Sequence, residues 1–448
     1  MATSVRAFRR GLYAEHLEEA SFLYEQRRAL LVNPELAWTQ IGDFEGRIEA
    51  HIDALVVGGD IALDVCRERV AEGDPGELFA AVCVFCRHAF APLLAELLQG
   101  LDYEDPNRVR ALVDALKYEL PESWHDPCRR AIGQSEDRRK MLLAEVIGYR
   151  RMHGVHLASL LSGSRPDAQR ALLWAIGRTR ETGAGDAIRP FYRATDISVL
   201  STALRTGLRI HDPEALLNLR TNASAGQSLS IDLALAGGRP DISHLLARLQ
   251  HAEPAVDVVA ALGLLGDLSA VRPLINALSV ETLAPTAAEA LHLITGAPLF
   301  EGVFVADEPK EDELFDKEVR ALREQGQVPR RLNGEPFGAK VHRLSIEPTT
   351  WQAWLQQHSA EFSADRRYRN GRLYSPIVLL DCLKSDTFPK AYRSLVAEEL
   401  VVRYGIDLQF EADLLVGSQR SVLLAAEATV SDREAAFDAG RWYTFGRA

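Results

Sequence analysis

Apolar residues along this chain recur at intervals of three and four, the period of a helix that buries one face. In 13–30, YAEHLEEASFLYEQRRAL, the apolar stripe is Leu17, Phe22, Leu23 and Leu30, with Glu15, Glu18, Glu19 and Glu25 largely off it. Asn33-Pro34 ends that helix. Ile48, Ile52 and Leu55 line one side of a second helix over 44–57, which Gly58-Gly59 stops. Further helices are predicted over 61–71 and 75–101, the latter broken near 87–92. This N-terminal block is helical throughout, but irregularly spaced.

Farther on, the pattern acquires a fixed length. Gly237 recurs as Gly266 after 29 residues and as Gly296 after another 30. Leu245-Leu246 is echoed by Leu274-Ile275 and preceded by Leu216-Leu217, each step being 29 residues. Met141-Leu142-Leu143 with Ile147-Gly148 returns as Ala171-Leu172-Leu173 with Ile176-Gly177, so the rhythm reaches back toward Asn107. A constant period of this size marks stacked helical hairpins that bury their apolar faces on one another. Asp212 and Asp241 stand where a carboxylate can cap a helix, and Pro213, Pro240 and Pro273 near helix starts. Ala260, Ala261, Gly263, Ala287, Ala288 and Ala290 make a packing face that lets neighbouring helices approach closely.

After Pro298 the repeat stops. Residues 307–318 carry seven acids against two lysines, followed by GQVPRRLNGEPFGAK, so 299–340 reads as a linker with one short charged helix near 315–323. Helices then follow at TTWQAWLQQHSAEF with a capping threonine, at SPIVLLDCLK with Ser375 as cap, and at YRSLVAEELVVRYG, closed by Gly405. From Asp407 the pattern fits either a strand or a helix, and a short helix over 432–439 precedes the end.

Composition narrows the class of function. The net charge of −12 argues against unspecific nucleic-acid binding, which needs clustered Lys and Arg. Five cysteines and no apolar leader point to a reducing, cytoplasmic setting. Nowhere do 18 uncharged apolar residues run together, so no membrane span or membrane partner is expected.

Chemistry-bearing patterns are sparse. Cys83-Val-Phe-Cys86 lies inside an apolar helical run, where cysteine packs as a small hydrophobe; no second CxxC completes a zinc set. His153 and His156 flank a glycine without the glutamate of HExxH, which suits a turn between helices. Glu15, Glu18, Glu19, Glu49 and Asp53 with His16 and His51 lack the Glu-x-x-His order of a di-metal bundle. The common phosphate-loop, dinucleotide, hydrolase and metalloprotease signatures do not occur. Neither a catalytic group nor a cofactor or metal is expected. Trp351, Trp354, Phe362, Tyr368 and Tyr374 interleave with Arg366, Arg367, Arg369 and Arg372. That cluster suits a small domain core with a basic exposed loop, a protein interface, or a reader of single-stranded nucleic acid. Trp351, Trp354, Arg367, Tyr368 and Arg369 are the candidates for partner binding.

LGLLGDLSAVRPLINALSVETLAPTAAEALHLITG is similar to the HEAT-like repeat of phycobilisome lyases: a Gly-Asp turn, an Ala-Val-x-Pro-Leu-Ile-x-Ala-Leu helix, and an Ala-Ala-x-Ala-Leu helix ending in Gly. Here these are Gly266-Asp267, 270–278, 287–291 and Gly296. EHLEEASFLYEQR, RIEAHIDAL with downstream GDPGELFAA, and RYRNGRLYSPIVLLDCL resemble a proteobacterial family of HEAT-repeat proteins, several of them encoded beside type VI secretion genes. The resemblance implies no catalytic residues. It implies an accessory role, such as loading or stabilising a secreted effector or meeting a secretion component.

The expected architecture is all-α: an N-terminal helical block (1–106), a HEAT-like α-solenoid (107–298), an acidic linker (299–340) and a small, mainly helical C-terminal domain (341–448). The expected function is a non-enzymatic protein-binding scaffold or adaptor. The alternatives are a lyase-related enzyme acting on a pigment or small ligand, and a helical-repeat protein that binds nucleic acid.

Overall fold

The computed structural model describes residues 4–89, 91–250, 256–306, 314–330 and 334–447. The acidic segment 307–313, residues 251–255 and 331–333 lie outside the described residues. The chain is all-α apart from two small strand pairs. Its centre is a row of helices: Pro75–His88, Pro106–Glu119, Asp137–Tyr149, Pro166–Thr179, Ile197–Arg209, Ser230–Ala236, Val256–Leu265 and Ala284–Thr295. Each packs against the next in that order. Further helices alternate with them along the chain, among them His125–Gly133, Pro213–Ser224, Arg239–Leu249 and Val271–Ala277.

Local chemistry explains where the row's helices begin. Asp-Pro stands at the start of two row helices, Pro75–His88 and Pro106–Glu119, and of the intervening Pro213–Ser224, the proline supplying a preset φ and the aspartate an acceptor for free N–H groups. Asp74 accepts from the Glu77 amide at 2.7 Å, Asp105 from Asn107 at 2.9 Å, and Asp212 from Glu214 at 3.2 Å. Asp241 works differently. It sits inside Arg239–Leu249, accepts from the Gly238 amide at 2.7 Å and pairs with Arg220 at 2.8 Å. The small residues do allow close approach: a Cβ on Gly263 would stand 2.6 Å from the Cα of Ala290 in the neighbouring helix.

Before the row, Val5–Val32 packs on Gly42–Val57, Gly59–Glu72 and Pro75–His88. The row therefore continues without interruption across residue 106. The break expected near 87–92 falls at Ala89, which closes Pro75–His88 in the left-handed region with φ of 55°.

Within 299–340, Phe300–Ala306 pairs antiparallel with Gly338–Leu344, Val303 opposite Val341, and the charged helix is Asp316–Gln325. What reads as linker is in part a ribbon. Its glycine and charge content conceals a run, Phe-Glu-Gly-Val-Phe-Val-Ala, with good strand residues.

The C-terminal segment holds Pro348–His358, a short hairpin at Tyr368–Arg369 and Arg372–Leu373, then Pro376–Lys384, Arg393–Tyr404 and Val416–Glu434. After Asp407 neither a strand nor a helix forms over 407–415; helix begins at Val416, and the expected 432–439 element is its last turn with the bends that follow. Neither expected side-chain cap forms. Glu347, not a threonine, precedes Pro348–His358, and the Ser375 hydroxyl bonds no helix amide.

Candidate functional site

A helix leaves its last carbonyls without intrahelical partners, and its C-terminal end carries partial negative charge. Each helix of the row must satisfy that need at the same edge. The C-terminal segment runs along that edge and answers it, by two opposite arrangements of charge.

In the later part of the row the helices bring little cation of their own. Ser230–Ala236 and Val256–Leu265 have no basic residue in the last turn. The C-terminal segment supplies it. Arg403 donates to the carbonyls of Ala234 at 2.7 Å and Gly237 at 3.1 Å. Arg367 donates to Leu265 at 2.6 Å, and Arg369 to Leu264 at 2.6 Å. At Ala284–Thr295 the backbone does the work: the amides of Asn370 and Gly371 donate to Leu293 and Ile294 at 2.6 and 3.1 Å. A tight turn makes that possible. Asn370 and Gly371 have φ of 50° and 74°, and a Cβ at Gly371 would strike the Thr295 carbonyl.

Three guanidinium groups in one dry place need a counter-charge. Glu399 provides it, bonding Arg369 at 2.8 Å and Arg367 at 3.1 Å, with the Tyr374 hydroxyl donating at 2.8 Å. The side chains of Arg367, Arg369, Arg403 and Glu399 are all 0% exposed. Burial and the neighbouring Arg403 lower Arg367 to about 10, which leaves it charged at neutral pH. Its guanidinium lies 3.4 Å from the centre of the Tyr374 ring.

In the earlier part of the row the polarity reverses. The row carries Arg178 and Arg209 near helix ends and Arg151 just past one, and the C-terminal segment meets them with acids, while Lys117 pairs at 2.6 Å with Glu145 of the row itself. Arg178 and Arg209 bond the two carboxylate oxygens of Glu398 at 2.8 and 2.7 Å. Arg209 also reaches Asp407 at 3.1 Å; Arg151 and Arg178 share Glu411 at 2.7 and 3.3 Å. The Asp413 carbonyl accepts from Arg27 at 2.8 Å and from the Tyr118 hydroxyl at 3.1 Å. Burial by itself would raise the Glu398 pKa, but Arg178 and Arg209 outweigh it and hold the carboxyl at about 2. Beyond the row, the Val416 amide donates to Glu45 at 2.6 Å, so the seam spans from the N-terminal helices to Ala284–Thr295.

Compared with family models, curated proteins and solved structures, the chain finds no match in any of the three.

The sequence candidates fall mostly inside this seam. Trp351, Tyr368, Arg367 and Arg369 are buried, and their contacts are with the chain itself. Trp351 donates its indole N–H to the Ser345 carbonyl at 2.7 Å. Trp354 is half-buried and stacks on His358 with ring centres 4.1 Å apart. The exposed basic loop expected at 366–372 is therefore largely a set of helix caps. What the sequence reading missed is the partner set, Glu398, Glu399, Arg403 and Glu411. One signal was available. Arg393–Tyr404 is apolar on every side, so the charges within it have no solvated face.

A cavity of about 100 Å³ lies at the seam, lined by Trp174, Arg178, Ser201, Arg205, Arg209 and Glu398. Its cations are already matched by Glu398, Asp232, Glu411 and Asp407, so it offers an added anion no net attraction. All five cysteines are free and buried, and burial pushes Cys66, Cys128 and Cys382 up to about 12 and raises Cys83 and Cys86 as well. Such thiols are poor nucleophiles and poor ligands. His153 and His156 lie in a turn around Gly154. The Nδ1 atoms of His16 and His51 are 3.0 Å apart, while Glu18 pairs with Arg69, and Glu49 and Asp53 with Arg87. Among the described residues no group of three or more His, Cys, Asp or Glu could hold a metal ion. No helix among them is long and apolar enough to cross a membrane.

Proposed function

We propose that this chain is a non-enzymatic protein-binding scaffold, an adaptor built on HEAT-like stacked hairpins. One observation supports the reading above the others: the row already holds a protein segment, its own C-terminal region, along the ends of seven successive helices from Pro106–Glu119 to Ala284–Thr295. Stacked hairpins present a long repeated surface suited to that task.

Since one edge is occupied in cis, a partner in trans meets other faces. Val5–Val32 offers such a face near its start. Val5, Phe8 and Leu12 stand 70%, 65% and 37% exposed at helical spacing, with Arg6, Arg9 and Arg10 beside them. The resemblance of the flanking motifs extends the proposal to an accessory or effector chaperone of type VI secretion, working in the cytoplasm. That extension rests on the resemblance alone.

The test is a pull-down with the intact chain from cells expressing its neighbouring genes, run beside Phe8→Asp. The scaffold reading expects a specific protein partner, bound less well by the variant. Recovery of no protein partner contradicts the scaffold; equal recovery with Phe8→Asp contradicts the assignment of this face.

A further inference from the structure

Phe300, Val303, Phe304, Phe315, Val328 and Phe337 are all exposed large apolar side chains, and all fall in the stretch between the row and the C-terminal segment. The strand Phe300–Ala306 is the most continuous part of that surface. None of its residues is buried, and Val303 and Phe304 are 39% and 48% exposed. One edge bonds Gly338–Leu344, and among the described residues no strand pairs with the other. The ribbon's base is fixed: the Ser345 amide donates to Leu299 at 2.7 Å, and the Phe300 ring meets His292 at 5.5 Å.

Natural proteins guard an open edge with lysine, proline, a bulge or a covering element, because its unpaired amides and carbonyls invite another strand. This edge has no lysine and no proline, and its single charge is Glu301. A two-stranded ribbon is also marginal alone in water and gains from added strands.

We propose that this edge pairs with the same edge of a second copy of the chain, antiparallel about a two-fold axis at Val303. The two ribbons then form one four-stranded sheet. The sequence suits that self-pairing. Val303 faces its own copy, Gly302 faces Phe304, Glu301 faces Val305 and Phe300 faces Ala306. No like charges meet, and an aromatic ring covers each glycine. The other strand, Gly338–Leu344, carries Lys340 and Arg343, cations of the kind that guard an open edge. The proposal is independent of the scaffold reading, which concerns other surfaces.

The experiment is sedimentation of the intact chain from sub-micromolar concentration to its solubility limit. A seven-residue edge is a small interface, so a monomer–dimer equilibrium roughly in the micromolar range is expected. Val303→Lys places two ammonium groups face to face, and Val303→Glu two carboxylates. Each weakens dimerisation by roughly tenfold or more. An equimolar mixture of the two variants restores the dimer as a heterodimer, which a loss of folding would not do. Melting temperatures equal to wild type confirm that both variants fold. The proposal is overturned if the wild type stays monomeric throughout, if both variants dimerise as it does, or if mixing restores nothing.

Discussion

Replacing Glu398 with Gln probes the seam at its most charge-dependent point. The carboxylate sits 5% exposed between Arg178 and Arg209, one oxygen on each. Glutamine keeps the shape but removes the charge, so both guanidinium groups lose a full counter-ion. Arg178 keeps Glu411 and Arg209 keeps Asp407, which limits the damage. A fall in pKa from 4.5 to about 2 corresponds to about 3 kcal/mol of stabilisation by the ionised form. The folded-state pKa is depressed, so this stabilisation is complete above the unfolded value near 4.5 and disappears as pH falls toward 2. Urea unfolding followed by circular dichroism, over a pH series, measures it. At pH 7 the variant is expected to be about 3 kcal/mol less stable than wild type. The gap narrows below pH 4.5 and nearly closes by pH 2. A gap under about 1 kcal/mol at neutral pH, or one that does not change with pH, would refute the reasoning.

Other perturbations test other parts. Arg369→Lys keeps the charge, but its ammonium ends one bond short of the Nη2 that serves the Leu264 carbonyl and both oxygens of Glu399 and has no counterpart of the Nη1 contact to Gly263, so a loss of about 2–3 kcal/mol is expected in the same unfolding assay; a loss within about 0.5 kcal/mol would mean the cap is unimportant. Gly263→Ala drives a methyl group to 2.6 Å from the Ala290 Cα, and should lower stability by about 1–3 kcal/mol; an unchanged denaturation midpoint would show that the helices have room to separate. A thiol reagent should label none of the five buried cysteines in the folded chain and all of them in denaturant. Fast native labelling of Cys83 or Cys86 would reopen a chemical role for that pair.

How far the sequence revealed this molecule depends on the range of the interaction. Helices and their order follow from local pattern: the stripe at Leu17, Leu23 and Leu30, from which Phe22 departs by standing 59% exposed, the Asp-Pro starts, and the small residues where Gly263 passes Ala290 closely. The repeat also fits the order in which successive helices of the row pack on one another. The seam joins residues far apart in the chain, such as Arg27 with the Asp413 carbonyl and Arg209 with Glu398, and no local periodicity encodes such pairs. Arg367 and Arg369 look like a solvated basic loop because the carbonyls they cap lie about a hundred residues earlier. The reversal of charge along the row, cations on its earlier helices and none on Ser230–Ala236 or Val256–Leu265, becomes meaningful only beside Arg403 and Glu398. The ribbon was hidden differently. Its strands are separated by the acid-rich stretch, so neither has a close partner in sequence.

The central claim is that the C-terminal segment binds the row of helices directly, through caps and ion pairs, and is not merely tethered to it. A protease site placed between the ribbon strands allows the connection to be cut in the folded, intact chain. Size-exclusion chromatography with light scattering then reads the mass of the nicked protein at physiological salt. The seam predicts one particle of unchanged mass, with both fragments present in equal amount. Separation of the fragments under those conditions would contradict it.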